Sequence, residues 1–336
     1  MTKPSAIRVA ALAVLAASAC SGPGGGGASP APARTTIAVI PKGTTHAFWQ
    51  SIHAGAVKAA RELDVDIIWR GPLREDDRDA QVTEVEGFVS RGVSGIVLAP
   101  LDEAALVGPV ASAKAKRIPV VIFDSGLKGE DFVSFVATDN VVGGRLGGEH
   151  MAKVLGGRGK VVLLRYAEGH DSTGKREEGF LEAMKASPGI EVVSSNQYGG
   201  ADVEEAYKRS ETLLSRYKQP DGSLGIQGIF CANESTTFAM LRVLQANGWA
   251  GKVAFVGFDA SDNLVAALRK GEIEALVIQD PVKMGYLGVK TMVQHLRGEK
   301  VERRIDTGVG VATRANMDEP AMKERLSPDL SQWLPK

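Results

Sequence analysis

From Thr36 onward, short apolar runs rich in β-branched residues alternate with longer stretches of helical period, and this alternation constrains the fold more than any other feature. Ile37 to Ile40, Val65 to Trp69, Ile96 to Ala99 and Val120 to Phe123 read as strands. Between them, His46 to Glu62, Asp79 to Arg91 and Glu103 to Lys116 read as helices. The strands lack polar alternation, so they are expected to be buried on both faces, as parallel strands are when helices cover a sheet on either side. The pattern predicts a doubly wound α/β lobe.

The rhythm breaks at Val133-Ser134-Phe135-Val136-Ala137-Thr138-Asp139-Asn140, which reads as a connector, and then restarts. Asn140 to Leu155 is predicted as a helix capped by Asp139 or Asn140. Strands at Val161–Leu164, Glu191–Ser194, Gly228–Cys231, Val253–Val256 and Ala275–Ile278 alternate with helices at Thr173–Ala186, Val203–Tyr217, Ser235–Asn247 and Asn263–Lys270. Pro281, a natural first-turn residue, opens a helix to about Arg297. The 336 residues exceed the ~250–300 at which one core divides, so the two similar half-chains predict two Rossmann-like lobes with a cleft between them. Gly143, Gly144, Gly147 and Gly148 share a helical stretch, and close packing against a neighbouring strand is the expected reason. Residues 317–336 turn polar and read as a tail over one lobe.

The amino terminus has a different character. Lys3 and Arg8 precede the short apolar run Val9 to Ala17, so residues 1–19 read as a secretory signal too short to span a bilayer as a helix. Leu15-Ala16-Ala17-Ser18-Ala19-Cys20 resembles the lipobox of bacterial lipoproteins, although Ala17 stands where such boxes prefer Leu. Lipidation is expected at Cys20, with residues 20–35 as a flexible Gly- and Pro-rich tether. Cys231 is then the remaining thiol and no intrachain disulfide forms. The expected location is the periplasm or the outer face of a bacterial cell membrane. Lys plus Arg equals Asp plus Glu at 40 each, so no overall field draws nucleic acid.

Motifs for catalysis fail on inspection. Gly169-His170-Asp171-Ser172-Thr173-Gly174-Lys175-Arg176 matches G-x-x-x-x-G-K, but Arg176 stands where a phosphate loop needs Ser or Thr for Mg²⁺. The first strand-to-helix turn, Pro41 to Thr45, lacks the glycines of a dinucleotide site. His46 and His53 have no partner cluster for a metal. Glu177 and Glu178 are adjacent on a helix and point in different directions, which reads as a solvated face rather than an acid/base pair. No catalytic residue, metal or cofactor is expected.

A binding constellation does emerge. Asp124, Asn233, Asp259 and Gln279 each follow an apolar strand, and Arg176 lies near the start of a second-lobe helix. Phe48 and Trp49 sit where the first strand hands over to the first helix, the region in which ligands of open α/β sheets bind. Fixed acceptors and donors beside aromatic faces match a sugar, whose hydroxyls do both and whose C–H faces stack on rings. Each residue also has a plainer reading: Asp124, Asp259 and Asn233 as helix caps, Arg176 as a surface ion pair, Gln279 as a turn residue, and Phe48 or Trp49 as core.

Together these residues resemble the periplasmic sugar-binding proteins of the ribose/galactose/allose type, the substrate-binding components of ABC importers. Their type I periplasmic binding protein fold is similar to the ligand-binding part of lactose-repressor-type regulators. The resemblance runs from Thr36 to about Ala315, on His46-Ala47-Phe48-Trp49, Ile118 to Asp124, Ala137 to Gly144, Arg176-Glu177-Glu178-Gly179-Phe180, Cys231-Ala232-Asn233-Glu234, Val256-Gly257-Phe258-Asp259 and Ile278-Gln279-Asp280-Pro281. It implies that Phe48 and Trp49 sandwich or flank the sugar ring while Asp124, Arg176, Asn233, Asp259 and Gln279 bind its hydroxyls. His46, Ser125 and Ala201 depart from the ribose type, where Asn, Arg and Phe stand, so His46, Ser125 and Ala201 are expected to set a different sugar choice. It implies chain crossings near Thr138-Asp139, Gln279-Asp280 and Thr307-Gly308. One lobe then comprises 36–138 with 280–307 and the other 139–279 with 308–316, with Thr138, Asp139 and Asp280 as hinge residues. The implied function is capture of a monosaccharide or polyol by a monomer and delivery to an ABC permease. The alternative is a sensory protein presenting its ligand to a chemoreceptor or histidine kinase. A DNA-reading headpiece is not expected, since residues 1–35 read as signal and tether.

Overall fold

Two six-stranded sheets carry the chain, and the computed structural model describes residues 34–334. The expected signal, Cys20 and the tether through Ala33 lie outside the described residues. In the first sheet, β1 (Thr36–Ile40), β2 (Asp66–Trp69), β3 (Gly95–Leu98), β4 (Val120–Phe123) and β5 (Ser134–Ala137) alternate with α1 (Ala47–Leu63), α2 (Arg78–Arg91) and α3 (Val107–Ala115). The second begins with α4 (Asn140–Val154), β6 (Gly159–Arg165), α5 (Asp171–Lys185), β7 (Ile190–Tyr198) and α6 (Val203–Ser215). It continues through β8 (Gly228–Cys231), α7 (Glu234–Ala246), β9 (Ala254–Phe258), α8 (Asp262–Lys270) and β10 (Ala275–Ile278). The chain then returns with α9 (Pro281–Leu296) and β11 (Arg304–Asp306), and finishes with β12 (Gly310–Ala312) and α10 (Pro320–Leu326).

The strand orders are β11-β5-β4-β3-β1-β2 and β12-β10-β9-β8-β6-β7. They correspond position by position, and pairing is parallel except for β12 against β10. In each sheet the order reverses beside the first strand of the lobe, at β1/β3 and at β6/β8, which places a crevice at their carboxyl ends. Burial on both faces follows the sequence pattern. Ile37 and Val39 of β1 pack with Ile52, Val97, Met284 and Met292 on one side. Ala38 and Ile40 pack with Phe88, Ile96 and Leu98 on the other, as the two-residue period of a strand requires.

Paired glycines let two helix pairs meet backbone to backbone. A Cβ at Gly55 of α1 would lie 2.0 Å from the carbonyl oxygen of Val282, and one at Gly144 of α4 would lie 1.8 Å from that of Arg176. The glycines of α4 therefore serve two contacts. Gly143 and Gly147 face Phe258 and Phe230 of the sheet, as expected, whereas Gly144 and Gly148 face α5. That contact fixes the height of the second turn of α5, where Arg176 sits.

Several expectations need correction. The connector contains strand β5, whose Ser134 hydroxyl is tied to the Glu302 carbonyl. Helix α3 begins at Val107, not Glu103, because Asp102 accepts the N–H groups of Ala104 and Ala105 and holds a turn there. Strand β7 is far longer than Glu191–Ser194; it is a half-exposed edge strand, so its polar residues mask it. Glu177 is buried, only 3% exposed, and its carboxylate accepts the backbone N–H of Tyr166, so only Glu178 of that pair is solvated. The tail lies over both lobes. Met317 and Leu326 enter the core of the second, while Trp333 and the carbonyl of Gln332 lie against Lys58 and Arg61 of α1.

Candidate ligand-binding site

The carboxyl ends of the parallel strands point into the cleft, and polar side chains follow them. Lys42 follows β1, Asp124 β4, Tyr166 β6, Asn233 β8, Asp259 β9 and Gln279 β10. Asp124 and Asp259 occupy corresponding places after the fourth strand of each lobe and bend alike. Both adopt the left-handed region, φ 61° and 68°, and donate their N–H groups to Val136 and Val277 of the next strand. A non-glycine residue there costs of order 1–3 kcal/mol and persists where the surroundings fix it. Neither aspartate caps a helix: α8 is preceded by Ser261, and no helix follows Asp124 before α4.

On the first-lobe side the hub is Glu75, in the loop between β2 and α2. Its carboxylate accepts from His46 Nδ1 at 2.9 Å, Trp49 Nε1 at 2.6 Å and, across the cleft, the Tyr166 hydroxyl at 3.1 Å. Burial alone would raise the Glu75 pKa, but the hydrogen bond and charge of His46, the charge of Lys42 and the Trp49 bond outweigh it and hold it at about 2. Burial alone would likewise lower His46; Glu75, with Glu234 and Asp259, raises it to about 9. His46 is therefore an imidazolium at neutral pH. Burial and Glu75 push the Tyr166 hydroxyl well up, so it stays a donor. Beside them Lys42 pairs with Asp124 at 2.9 Å and donates to the Ser172 hydroxyl at 3.0 Å.

On the second-lobe side Arg176, 3% exposed, is no surface ion pair. Its Nε donates to Asn140 Oδ1 at 2.8 Å and its Nη1 to the Ala232 carbonyl at 3.0 Å, and the guanidinium covers the Phe258 ring at 4.0 Å. It approaches Asp259 only to 3.6 Å. Gln279 Nε2 donates to the other oxygen of Asp259 at 2.7 Å. Burial raises the Asp259 pKa, opposed by Arg176 and Gln279 and assisted by Asp124. Glu234 is raised by burial against the pull of His46, with the charges of Asp259 and Glu75 adding to the rise.

His46, Phe48, Trp49, Asp124, Arg176, Asn233, Asp259 and Gln279 thus line one cavity. Some sit differently from expectation. Asn233 does cap α7, accepting from the Thr236 N–H at 3.3 Å, so its oxygen is already engaged. Trp49 is 2% exposed and packs edge-on against Phe123, and the Phe48 and Trp49 rings meet at 81°. They cannot form two parallel faces of a sandwich. Ser125 does not line the cavity; its hydroxyl accepts the Ser172 N–H at 3.1 Å across the lobes. Ala201 lies in a separate open recess of about 640 Å³ beyond Tyr166, where Arg78 and Arg209 are already paired with Asp102 and Glu205. The 169–176 segment serves contact between lobes instead of phosphate: Asp171 accepts the Gly126 N–H at 2.9 Å, and the Gly169 carbonyl accepts that of Glu103 at 3.1 Å.

Sequence reasoning missed Lys42, Glu75, Tyr166, Ser172, Thr173 and Glu234. The strand-end rule that selected Asp124 also selects Lys42 and Tyr166. Glu75 carries no such signal, since Arg74-Glu75-Asp76-Asp77 reads as a solvated loop.

Comparison with known proteins agrees with this geometry. Residues 37–300 match the family model of the periplasmic binding protein domain. The ribose import binding protein of Haemophilus influenzae is 31% identical over 84% of this chain and 93% of its own length. A carbohydrate transporter solute binding protein of Agrobacterium radiobacter, solved with D-arabinose, superimposes with a TM-score of 0.83 at 33% identity, covering 88% of this chain and all of its own. An ABC transporter solute binding protein of Agrobacterium vitis, solved with D-fucose, gives 0.82 at 36% identity over 87% of this chain and all of its own.

Proposed function

The chain belongs to the periplasmic binding protein family, among its sugar-binding members of the ribose and allose type, and from that premise we propose that it captures a monosaccharide or small polyol outside the cytoplasm and delivers it to an ABC-type importer. The observation that carries this reading is the convergence of strand-end polar side chains from both sheets on one aromatic-flanked cavity. Relatives named for ribose and D-allose, and structures holding D-arabinose and D-fucose, support a monosaccharide. These relatives are binding proteins, and the site performs recognition without chemistry.

In this reading Asp124, Asp259 and Gln279 accept from ring hydroxyls, and Arg176, Lys42 and the free N–H of Asn233 donate. Phe48, half-buried at the rim, supplies an apolar face. The lobes 36–138 with 280–307 and 139–279 with 308–316 close by bending at Thr138, Asp139 and Asp280. Hydrogen bonds such as Thr138 to Thr307, at 3.2 Å, tie adjacent crossing strands and support that assignment. Lipidation of Cys20 anchors the monomer at the membrane beside its permease. A thermal-shift screen of the mature protein against pentoses, hexoses and inositols tests the function. A ligand at ~100 times its dissociation constant adds about 2.7 kcal/mol of stability; a melting point unmoved by every sugar and polyol defeats the proposal. Replacing Cys20 by Ser should release the protein from membranes.

A further inference from the structure

Several donors of the cavity wall are already engaged, although Lys42, Arg176 and Asn233 each keep at least one, while acceptors on the second-lobe side lack close cationic partners. Trp49 Nε1, His46 Nδ1 and the Tyr166 hydroxyl all donate to Glu75. Two protons of Lys42 go to Asp124 and Ser172, and Arg176 donates to Asn140 and Ala232. The Gln279 amide donates to Asp259, which fixes the orientation of the amide because a carboxylate only accepts. That leaves Gln279 Oε1, on a side chain 1% exposed, with no hydrogen-bond partner among the described residues. In the same lining, Asp259 lies against the Glu234 backbone N–H and has one oxygen no nearer to Arg176 than 3.6 Å, and Glu234, beside the Ser261 hydroxyl, has its nearest cation, His46, at 4.0 Å.

Charge runs the same way. The titratable side chains lining the cavity are the carboxylates of Glu75, Asp124, Glu234 and Asp259, the cations of Lys42, His46 and Arg176, and the Tyr166 phenol. With His46 protonated, four negative charges face three positive ones in a largely buried space. Isolated buried charge of this kind is costly unless a partner neutralises it.

We propose that the preferred ligand is an amino sugar, whose protonated amine sits among Gln279 Oε1, Asp259 and Glu234 while its hydroxyls take the remaining places. An ammonium supplies three donors and one positive charge to a corner that offers acceptors and one negative charge in excess. A hydroxyl supplies one donor and no charge. Charge-assisted hydrogen bonds are roughly twice as strong as neutral ones, so the amine gains where the hydroxyl does not. The upward displacement of the Glu234 and Asp259 carboxyls is the strain that such a cation relieves. This inference rests on the sugar-capture reading above and narrows its ligand class.

The test compares aminodeoxy hexoses carrying the amine at C2, C3 or C4 with their parent hexoses and their N-acetyl derivatives, by calorimetry on the full mature protein at pH 7. At least one amino sugar should bind about tenfold or more tighter than its parent, and N-acetylation, which removes the charge, should erase that advantage. Glu234→Gln should reduce the ratio of amino-sugar to parent-sugar affinity by about tenfold, whatever it does to the parent sugar itself. The N-acetyl comparison stands even where that variant folds poorly. Parent sugars that bind as tightly as every amine, or tighter, overturn this inference and leave sugar capture intact. Failure of all three series overturns this inference, and sugar capture falls with it only if pentoses and inositols also leave the melting point unmoved.

Discussion

Asp124 and Asp259 occupy corresponding places after the fourth strand of each sheet and share the same left-handed backbone, yet they sit in different electrostatic company. Asp124 is in direct contact with Lys42 at 2.9 Å, whereas Asp259 meets Arg176 only at 3.6 Å and relies on the Gln279 amide. The contrast extends to their neighbours. Glu75, on the first-lobe side, is held at about 2 against burial by His46, Lys42 and Trp49, while Glu234 and Asp259 on the second-lobe side are displaced upward by burial. Duplicated architecture has thus been put to two uses. The first-lobe half has its carboxylates paired, in part through bonds across the cleft; the second-lobe half has acceptors left for a ligand.

The largest expected effects come from breaking each aspartate in turn. Asp124→Ala leaves Lys42 buried without its partner, and removing one member of such a pair costs about 3–5 kcal/mol, read as a lower denaturant midpoint. Asp259→Ala should lower the midpoint less, because Arg176 keeps Asn140 and Ala232. Its cost should fall on ligand affinity, by about 100-fold or more, since a central charged acceptor is lost. If Asp259→Ala destabilises the empty protein as much as Asp124→Ala does, the distinction between the two halves fails.

A smaller effect sharpens the same contrast through pH. The folded pKa of His46, about 9, exceeds the ~6.5 of an unfolded histidine. Its stabilising contribution is therefore complete below pH ~6.5 and is lost as pH rises to about 9. The same interaction seen from Glu75, whose pKa is depressed to about 2, is complete above ~4.5 and lost as pH falls through about 2. It is one interaction and is counted once, at no more than about 3–4 kcal/mol from the His46 shift. Elsewhere in the second lobe Glu177, raised by burial to about 7, contributes most below ~4.5 and declines as pH rises through 7. His46→Gln should flatten the fall in melting temperature between pH 7 and 9 while leaving the Glu177-dependent fall between pH 5 and 7. A variant profile parallel to the wild type across both windows would show that the charge of His46 does not stabilise the fold through Glu75.

The sequence makes some of this legible, for identifiable reasons. Strands such as Gly228–Cys231 and Ala275–Ile278 are buried on both faces, so their apolar runs announce them, and the residue after each run falls at the cleft. Strand β7 is an edge and reads as polar; β11 and β12 are three residues each and carry no period at all. Glu75 is the clearest case of information that is not local. It meets Tyr166 across 91 positions of sequence, and only the folded loop separates it from the solvent-facing acids beside it. Glu177 likewise differs from Glu178 only in which side of α5 faces the sheet.

The smallest expected effect concerns the segment that joins the two halves from behind. Met317 and Leu326 root it in the second-lobe core, and Arg269 holds Asp318 with both terminal nitrogens, at 2.8 and 3.0 Å. Its far end reaches the first lobe through the Gln332 carbonyl, 2.9 Å from Arg61, and through Trp333, whose ring faces Lys58 and Arg61. Any opening of the cleft that separates these anchors must extend residues 327–332 or release the indole. Trp333→Ala removes partly exposed cation–π contacts worth about 0.5–1 kcal/mol. If those contacts form only when the lobes are closed, the loss appears in the closing equilibrium and ligand affinity weakens up to about fivefold. An unchanged affinity with a slightly lower melting temperature would make Trp333 a packing residue of α1 and free closure from the tail altogether.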